Sequence, residues 1–122
     1  MLVENQVSLQ PFNTFGIQAR AHTFVRISEV ADVLALHREH PTWLRSQPLV
    51  LGGGSNLVLT GDVTQAVLKV EIMGRELVSE TPHHWLVQAG AGENWHDLVA
   101  WTLTKGWPGL ENLALIPGTV GA

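Results

Sequence analysis

Several features that define whole classes of protein are missing from this chain of 122 residues, beginning with cysteine. Without cysteine it can form no disulfide and no thiol-based site. No apolar run reaches the length needed to span a membrane. Residues 1–6 have neither the basic nor the apolar segment of a secretory signal. These absences predict a cytoplasmic protein.

Charge is also scarce, at 15% of the residues, and the formal net charge is −4. Proteins that bind nucleic-acid backbones usually carry clustered Lys and Arg, so no nucleic-acid partner is expected. Apolar residues make up 45% of the chain, which is typical of a folded protein rather than a disordered one. The length suits about one small domain.

Chemically versatile residues occur without a recognisable arrangement. The six histidines show no ligand set with the spacing of a structural metal site. A Ser-His-Asp set cannot be argued either, because proximity in space is not visible in sequence. The sequence therefore predicts no metal ligands and no catalytic residues within the chain.

What the chain does have is a loop of three consecutive glycines, residues 52–54, between two apolar runs, Leu49–Leu51 and Leu57–Leu59. Glycine adopts positive φ and allows close approach to the backbone. Successive N–H groups in such a loop can form a nest that binds an anion without a basic side chain. Ser55 and Asn56 add polar donors. The segment predicts strand, nest, strand, with phosphate or pyrophosphate as ligand; a glycine-rich turn without a ligand is the alternative.

Two better-known phosphate motifs do not fit this loop. A P-loop requires a lysine at its end, and neither Lys nor Arg occurs between Pro48 and Asp62. The dinucleotide fingerprint requires a third Gly or Ala where Leu57 stands, and a helix after the loop. The turn signal Thr60–Asp62 leaves no room for that helix.

Periodicity predicts an α+β fold in two parts, residues 1–60 and 61–122. The first part reads as a strand at 23–27, a helix capped by Ser28 and ended by His40-Pro41, and a strand at 48–51, which favours parallel pairing of the two strands. Phe12 and Phe15 are expected to anchor the irregular loop that contains them, Leu9 to Gly16, to the core.

Beyond Gly61 the pattern changes. Three short runs, at 66–70, 76–79 and 85–89, predict an antiparallel meander. A helix follows over 93–105, capped by Asn94 and stopped by Gly106. Trp95 and Leu98 are expected to be buried beneath it.

A second glycine-containing loop ends the chain. Pro117-Gly118-Thr119 is a turn with a hydroxyl group, and Gly121 again permits close approach. If this loop faces the first, the two could clamp a long ligand, and a dinucleotide with an internal pyrophosphate fits two such loops better than a mononucleotide does.

Four motifs in this order resemble a known family. They are Asn13–Gly16 (Asn-Thr-Phe-Gly), Leu51–Asn56, Gly90–Trp95 and the block from Pro108 to Gly121. Together they resemble the UDP-N-acetylenolpyruvoylglucosamine reductases, also called UDP-N-acetylmuramate dehydrogenases or MurB. The glycine loop alone resembles only the wider vanillyl-alcohol-oxidase/p-cresol-methylhydroxylase-type FAD-binding superfamily; the Pro108–Gly121 block is far more specific.

The resemblance implies two α+β subdomains that bind FAD between them, followed by a substrate domain. It also implies two sets of FAD-binding residues. The first holds the pyrophosphate and the second lies along the FAD nearer the flavin: Gly52, Gly53, Gly54, Ser55, Asn56 and Leu57, then Ile116, Pro117, Gly118, Thr119, Gly121 and Ala122.

The chemistry implied is reduction of the flavin by NADPH, then hydride transfer to the enolpyruvyl double bond of UDP-N-acetylglucosamine enolpyruvate, with a serine as proton donor. The product is UDP-N-acetylmuramate, a peptidoglycan precursor. The family's serine, its partner glutamate and its substrate-binding groups match nothing in residues 1–122. The chain is therefore expected to be an inactive fragment that lacks the substrate domain. Another flavin oxidoreductase of the superfamily and a non-catalytic FAD- or nucleotide-binding module are the alternatives.

Overall fold

Six strands and three helices make up the protein, described from Met1 to Ala122 by a computed structural model. Single turns of 3₁₀ helix lie at Gln10–Phe12 and Glu111–Leu113. In chain order the main elements are β1 (Leu2–Ser8), β2 (Arg20–Ile27), α1 (Val30–Glu39), α2 (Pro41–Arg45), β3 (Leu49–Leu51), β4 (Val63–Val70), β5 (Arg75–Glu80), β6 (Trp85–Ala89) and α3 (Trp95–Thr104).

The larger sheet has the strand order β1-β2-β4-β3. Strand β1 is antiparallel to β2, whereas β2 and β3 are both parallel to β4. The predicted strands 23–27 and 48–51 are therefore present in one sheet and run in the same direction. The expectation that they pair directly is wrong, because β4 lies between them.

Strand β4 also corrects the predicted meander, which is wrong for residues 66–70. Three consecutive residues of β4, Ala66, Val67 and Leu68, are buried. Burial on both faces is typical of a central parallel strand rather than a strand in a meander. Only β5 and β6 form the antiparallel hairpin that was expected. The larger sheet thus continues past Gly61 to Val70, and the division of the chain into two subdomains stays a prediction.

Two apolar clusters cover opposite faces of the larger sheet, because neighbouring side chains on a strand point to opposite sides. Phe24 belongs to one cluster and Val25 to the other, and both are fully buried. Phe12 packs on the first cluster, its ring centroid 5.1 Å from that of Phe24. Phe15 is 66% exposed. The anchoring role expected for the two residues therefore holds for Phe12 and is wrong for Phe15.

The apolar run Leu57–Leu59 forms no strand, which corrects the strand-nest-strand prediction on its second side. Burial alternates along it as in a strand, since Leu59 is buried and Val58 is 68% exposed. The run nevertheless makes no ladder of backbone hydrogen bonds with any of the strands. Strand β1 and helix α2 were not predicted.

Helix α3 carries the predicted end signals. The Asn94 side-chain oxygen accepts a hydrogen bond from the Asp97 N–H at 3.0 Å. At the other end Gly106 has φ +76° and donates its N–H to the Leu103 carbonyl at 3.0 Å. Leu98 is buried as expected. Trp95 is only half-buried.

Helix α1 begins one residue later than predicted, with Glu29 rather than Ser28 at its N-cap. The carboxylate of Asp32 accepts hydrogen bonds from the N–H groups of Ser28, at 2.8 Å, and Glu29, at 3.2 Å. It also forms an ion pair with the terminal ammonium of Met1. These bonds, the one from the ammonium first, hold the pKa of Asp32 below its ordinary value.

A stability loss on acidification is expected from Asp32. Because the folded-state pKa is depressed, the stabilisation is present above the ordinary pKa of 3.8 and is lost as the pH falls through the folded value. Asp32→Asn should lower the melting temperature at neutral pH and flatten its pH dependence below about pH 4. Thermal unfolding followed by circular dichroism between neutral and acid pH measures both. If the melting temperature of Asp32→Asn fell with acidification as steeply as that of the wild type, Asp32 would not be the cause of the acid sensitivity.

No helix is long and apolar enough to cross a bilayer. No group of three or more His, Asp or Glu side chains is placed to hold a metal ion.

Candidate cofactor-binding site

The first glycine loop leaves β3 at its carboxyl end. All six predicted residues of this loop, from Gly52 to Leu57, line a cleft of about 180 Å³, together with Val50, Leu51 and Ala122. No acidic side chain lines it. The location agrees with the general tendency of ligands to bind at the carboxyl ends of parallel strands.

The backbone of this loop has a run of free donors. None of the N–H groups of residues 52–57 donates to an acceptor within the protein. Two of its carbonyls, in contrast, are engaged. The Gly52 oxygen accepts from Lys69 Nζ at 2.6 Å, and the Gly54 oxygen accepts from the Thr14 N–H at 3.1 Å. Since backbone donors are rarely left without a partner, those of the six that face the cleft can donate to water or to an anion there.

The missing side chains of two of these glycines leave room for close contacts within the protein. A Cβ at Gly54 would lie 1.9 Å from the Phe12 carbonyl oxygen, and Gly54 has φ +67°. A Cβ at Gly52 would lie 2.7 Å from Thr119 Oγ1. At Gly53, where φ is not positive, a Cβ would meet Gly118 Cα at an ordinary 3.5 Å. At Gly52 and Gly54 the absence of a side chain lets protein segments meet, and the approach of a ligand to this loop stays a prediction.

Backbone hydrogen bonds hold the second loop in place. The Gly118 carbonyl accepts from the Trp95 N–H at 3.1 Å, and the Val120 N–H donates to the Glu93 carbonyl at 2.9 Å. The Gly121 N–H donates to the Ala91 carbonyl at 3.0 Å. The motif Gly90–Trp95 is thus the support on which the loop rests.

The two predicted loops do face each other. Gly52 and Gly53 lie against Thr119 and Gly118, and Ala122 lines the same cleft as the first loop. Ile116 and Pro117 are exposed and do not line that cleft. The structure therefore brings ten of the twelve predicted residues together, all except Ile116 and Pro117. Gly121 is counted because its N–H donates to Ala91 in the Gly90–Trp95 motif that supports the second loop.

Lys69 is a residue of this site that sequence reasoning missed. It lies on β4, beyond the segment from Pro48 to Asp62 that has no basic residue. Burial lowers the pKa of its ammonium group. A usable signal was present in the sequence, because Lys69 interrupts the apolar run Ala66–Val70, where a lysine is unusual.

Comparison with known proteins decides which family the fold and cleft belong to. Residues 23–122 match the model of a family described as FAD binding domain. The chain belongs to this FAD-binding domain family. The predicted relation to FAD-binding proteins is confirmed.

The relatives of this FAD-binding domain carry the name that the motifs indicated. It is 56% identical over 126 residues to UDP-N-acetylenolpyruvoylglucosamine reductase of Azoarcus sp. (strain BH72), covering 100% of this chain and 36% of that protein. It is 51% identical over 116 residues to the same-named protein of Dechloromonas aromatica (strain RCB), covering 95% and 33%. The chain thus spans about a third of the length of these relatives.

A solved structure supports the same family relation. The crystal structure of UDP-N-acetylenolpyruvylglucosamine reductase (MurB) from Thermus caldophilus superimposes with a TM-score of 0.66 at 29% identity. The match covers 99% of this chain and 40% of that one. The predicted α+β fold of the vanillyl-alcohol-oxidase type, and the resemblance of this FAD-binding domain to the MurB reductases, are confirmed.

Proposed function

We propose that this chain is the FAD-binding portion of an NADPH-dependent flavoenzyme that reduces UDP-N-acetylglucosamine enolpyruvate to UDP-N-acetylmuramate in peptidoglycan synthesis in the cytoplasm. The observation that carries the proposal is the run of six unpaired backbone N–H groups beside the cleft where the two glycine loops meet. Membership of the FAD-binding domain family and the names of the relatives support the choice of cofactor and reaction.

The residues fit the cofactor's pyrophosphate. The cleft is lined by a loop whose backbone donors have no partner within the protein, and it has no acidic side chain to repel two phosphates. Residues 52–57 would hold the pyrophosphate. Residues 116–119, with Gly121 and Ala122, would lie along the FAD nearer the flavin, so that the cofactor bridges residues 1–60 and 61–122.

The division of labour is that bound FAD supplies hydride chemistry while the chain supplies binding and orientation. The loop N–H groups would fix the phosphates, and the contacts between the loops would fix the distance between the two halves of the cradle. The exposed apolar side chains of Leu115 and Ile116, 79% and 48% accessible, would be covered by the bound cofactor. Covering these two side chains would exclude water from the part of the cofactor that lies along the second loop.

Binding of FAD to the purified chain tests the cofactor assignment. Titrations of FAD, ADP and riboflavin, followed by flavin fluorescence and calorimetry, should show that FAD and ADP bind. Riboflavin, which lacks phosphate, should bind about tenfold more weakly than FAD or worse, because charge-assisted hydrogen bonds to phosphate are lost. Equal binding of riboflavin and FAD would contradict the pyrophosphate site. Equal binding of FAD and ADP would favour a nucleotide-binding module.

Catalysis by the chain alone is expected to be absent. Hydride transfer requires the cofactor, the substrate and a proton donor to be held together. The side chains lining the cleft are glycine, apolar or neutral polar, and none matches the family's proton donor or substrate-binding groups. NADPH oxidation at saturating FAD, with and without the enolpyruvyl substrate, measures this. Substrate-dependent turnover above that of free FAD would show that the catalytic groups lie within these 122 residues.

A further inference from the structure

Lys69 places an ammonium group at the start of the first glycine loop. In the parallel pairing of β3 and β4, Lys69 is opposite Leu51, the residue immediately before Gly52. Its Nζ lies 2.6 Å from the Gly52 carbonyl oxygen. The contact is partly buried, so it is not a chance meeting of two mobile surface groups.

This ammonium group has no anionic partner within the protein. The chain has four ion pairs, and none includes Lys69. Glu71, the carboxylate whose field acts on Lys69, forms an ion pair with Arg26 at 2.9 Å, and Arg26 also pairs with Glu4. Burial lowers the Lys69 pKa more than the field of Glu71 raises it. A partly buried cation of this kind is costly without a counter-ion, and one carbonyl occupies only one of its three donors.

The Lys69 contact also fixes the orientation of a peptide group in the loop. No peptide bond in the chain is cis. In a trans peptide the C=O and the following N–H point in opposite directions. With the Gly52 carbonyl turned to Lys69, the Gly53 N–H therefore points away from it. The bond from Thr14 to the Gly54 carbonyl does the same for the Ser55 N–H.

We propose that Lys69 is a positioning residue for a phosphate-bearing ligand at this loop. It holds the Gly52 carbonyl and so turns the Gly53 N–H to the opposite side of that peptide. Its charge also lowers the energy of an anion bound by this N–H, acting across the peptide group rather than by direct contact. The proposal rests on the proposed function, because it takes the Gly52–Leu57 loop as the pyrophosphate site.

Substitutions at Lys69 separate charge from hydrogen bonding. Lys69→Met removes both, Lys69→Gln keeps a neutral donor, and Lys69→Arg keeps both. Lys105→Met is the matched control, because it makes the same change in net charge at an exposed lysine at the end of α3. Affinities for FAD, ADP and riboflavin are measured by calorimetry at several salt concentrations, and folding is checked by circular dichroism.

We expect Lys69→Met to weaken FAD and ADP binding about tenfold or more and to leave riboflavin binding unchanged. Lys69→Arg should stay within about threefold of the wild type. The decline of FAD affinity with added salt should be shallower in Lys69→Met and in Lys69→Gln than in the wild type, and unchanged in Lys105→Met. A purely structural lysine would alter the melting temperature without altering this salt dependence.

The contrary results are distinct. Wild-type affinity and salt dependence in folded Lys69→Met would overturn the role of Lys69 while leaving the proposed function standing. If Lys69→Met does not fold, Lys69→Gln decides by the same criteria, because it can still donate to the Gly52 carbonyl. If the wild-type chain binds neither FAD nor ADP, the proposed function fails first, and the inference fails with it.

Discussion

Replacing Gly54 with alanine is expected to lower the free energy of unfolding by about 3 kcal/mol or more and to abolish FAD binding. Two costs add at this position. The backbone has φ +67°, where an L side chain is strained, and the new Cβ would lie 1.9 Å from the Phe12 carbonyl oxygen. That oxygen belongs to backbone and cannot swing aside, so the loop must leave the segment around Thr14 that now holds it. Urea unfolding followed by tryptophan fluorescence measures the loss.

Two other glycines serve as controls for Gly54→Ala. Gly16 has φ +64° with nothing within 4 Å of a Cβ, so Gly16→Ala isolates the backbone strain, about 1–2 kcal/mol. Gly53→Ala adds a Cβ at an ordinary 3.5 Å from Gly118 and should stay within about 1 kcal/mol of the wild type. A loss at Gly54 no larger than that at Gly16 would show that the loop does not need its close contact with Phe12.

The second large effect is expected at Gly121, where a Cβ would lie 2.7 Å from Ala91 Cβ. Gly121→Ala should destabilise by about 1–3 kcal/mol, the usual cost of overpacking, and weaken FAD binding by moving the second loop. Because the obstruction is mainly a single methyl group, Ala91→Gly should relieve it. The double variant Ala91→Gly/Gly121→Ala should therefore be more stable than the single variant Gly121→Ala.

A double-mutant cycle tests this pair. Unfolding free energies of the wild type, both single variants and the double variant yield one coupling energy, expected to be favourable by about 1 kcal/mol or more. Residual contacts of 3.2 Å to the Ala91 backbone should keep the rescue incomplete. Additive effects would mean that the second loop does not rest on the Gly90–Trp95 support.

Features governed by neighbouring residues were predictable from sequence. Asn94 and Gly106 end α3 where expected, because caps depend on a few adjacent groups. The position of β4 was not predictable in this way. Short strands with turns between them are typical of a meander, and only the burial of Ala66–Leu68 on both faces distinguishes a central parallel strand.

In the candidate site, too, the features set by adjacent residues were predictable and those set by distant residues were not. The nest of backbone donors follows from the glycines of one loop, and the run of free N–H groups agrees with it. The groups that orient the nest, Thr14 and Lys69, are distant in sequence and were missed. A glycine in the sequence also does not reveal whether a ligand or another part of the protein occupies the space that its missing side chain leaves. At Gly52 and Gly54 the approaching atoms belong to Thr119 and Phe12.

The contacts of Gly54 with Phe12 and of Gly53 with Gly118 have a consequence for the order of folding. These residues are far apart in the sequence, so the cleft cannot close until the segments from Phe12 to the second loop are present and packed together. Contacts of such long sequence separation form late, because the loops between them must be ordered first. A growing chain on the ribosome would therefore acquire its nucleotide only after synthesis has passed the second loop. A bound nucleotide would stabilise the folded domain as a whole rather than one segment of it.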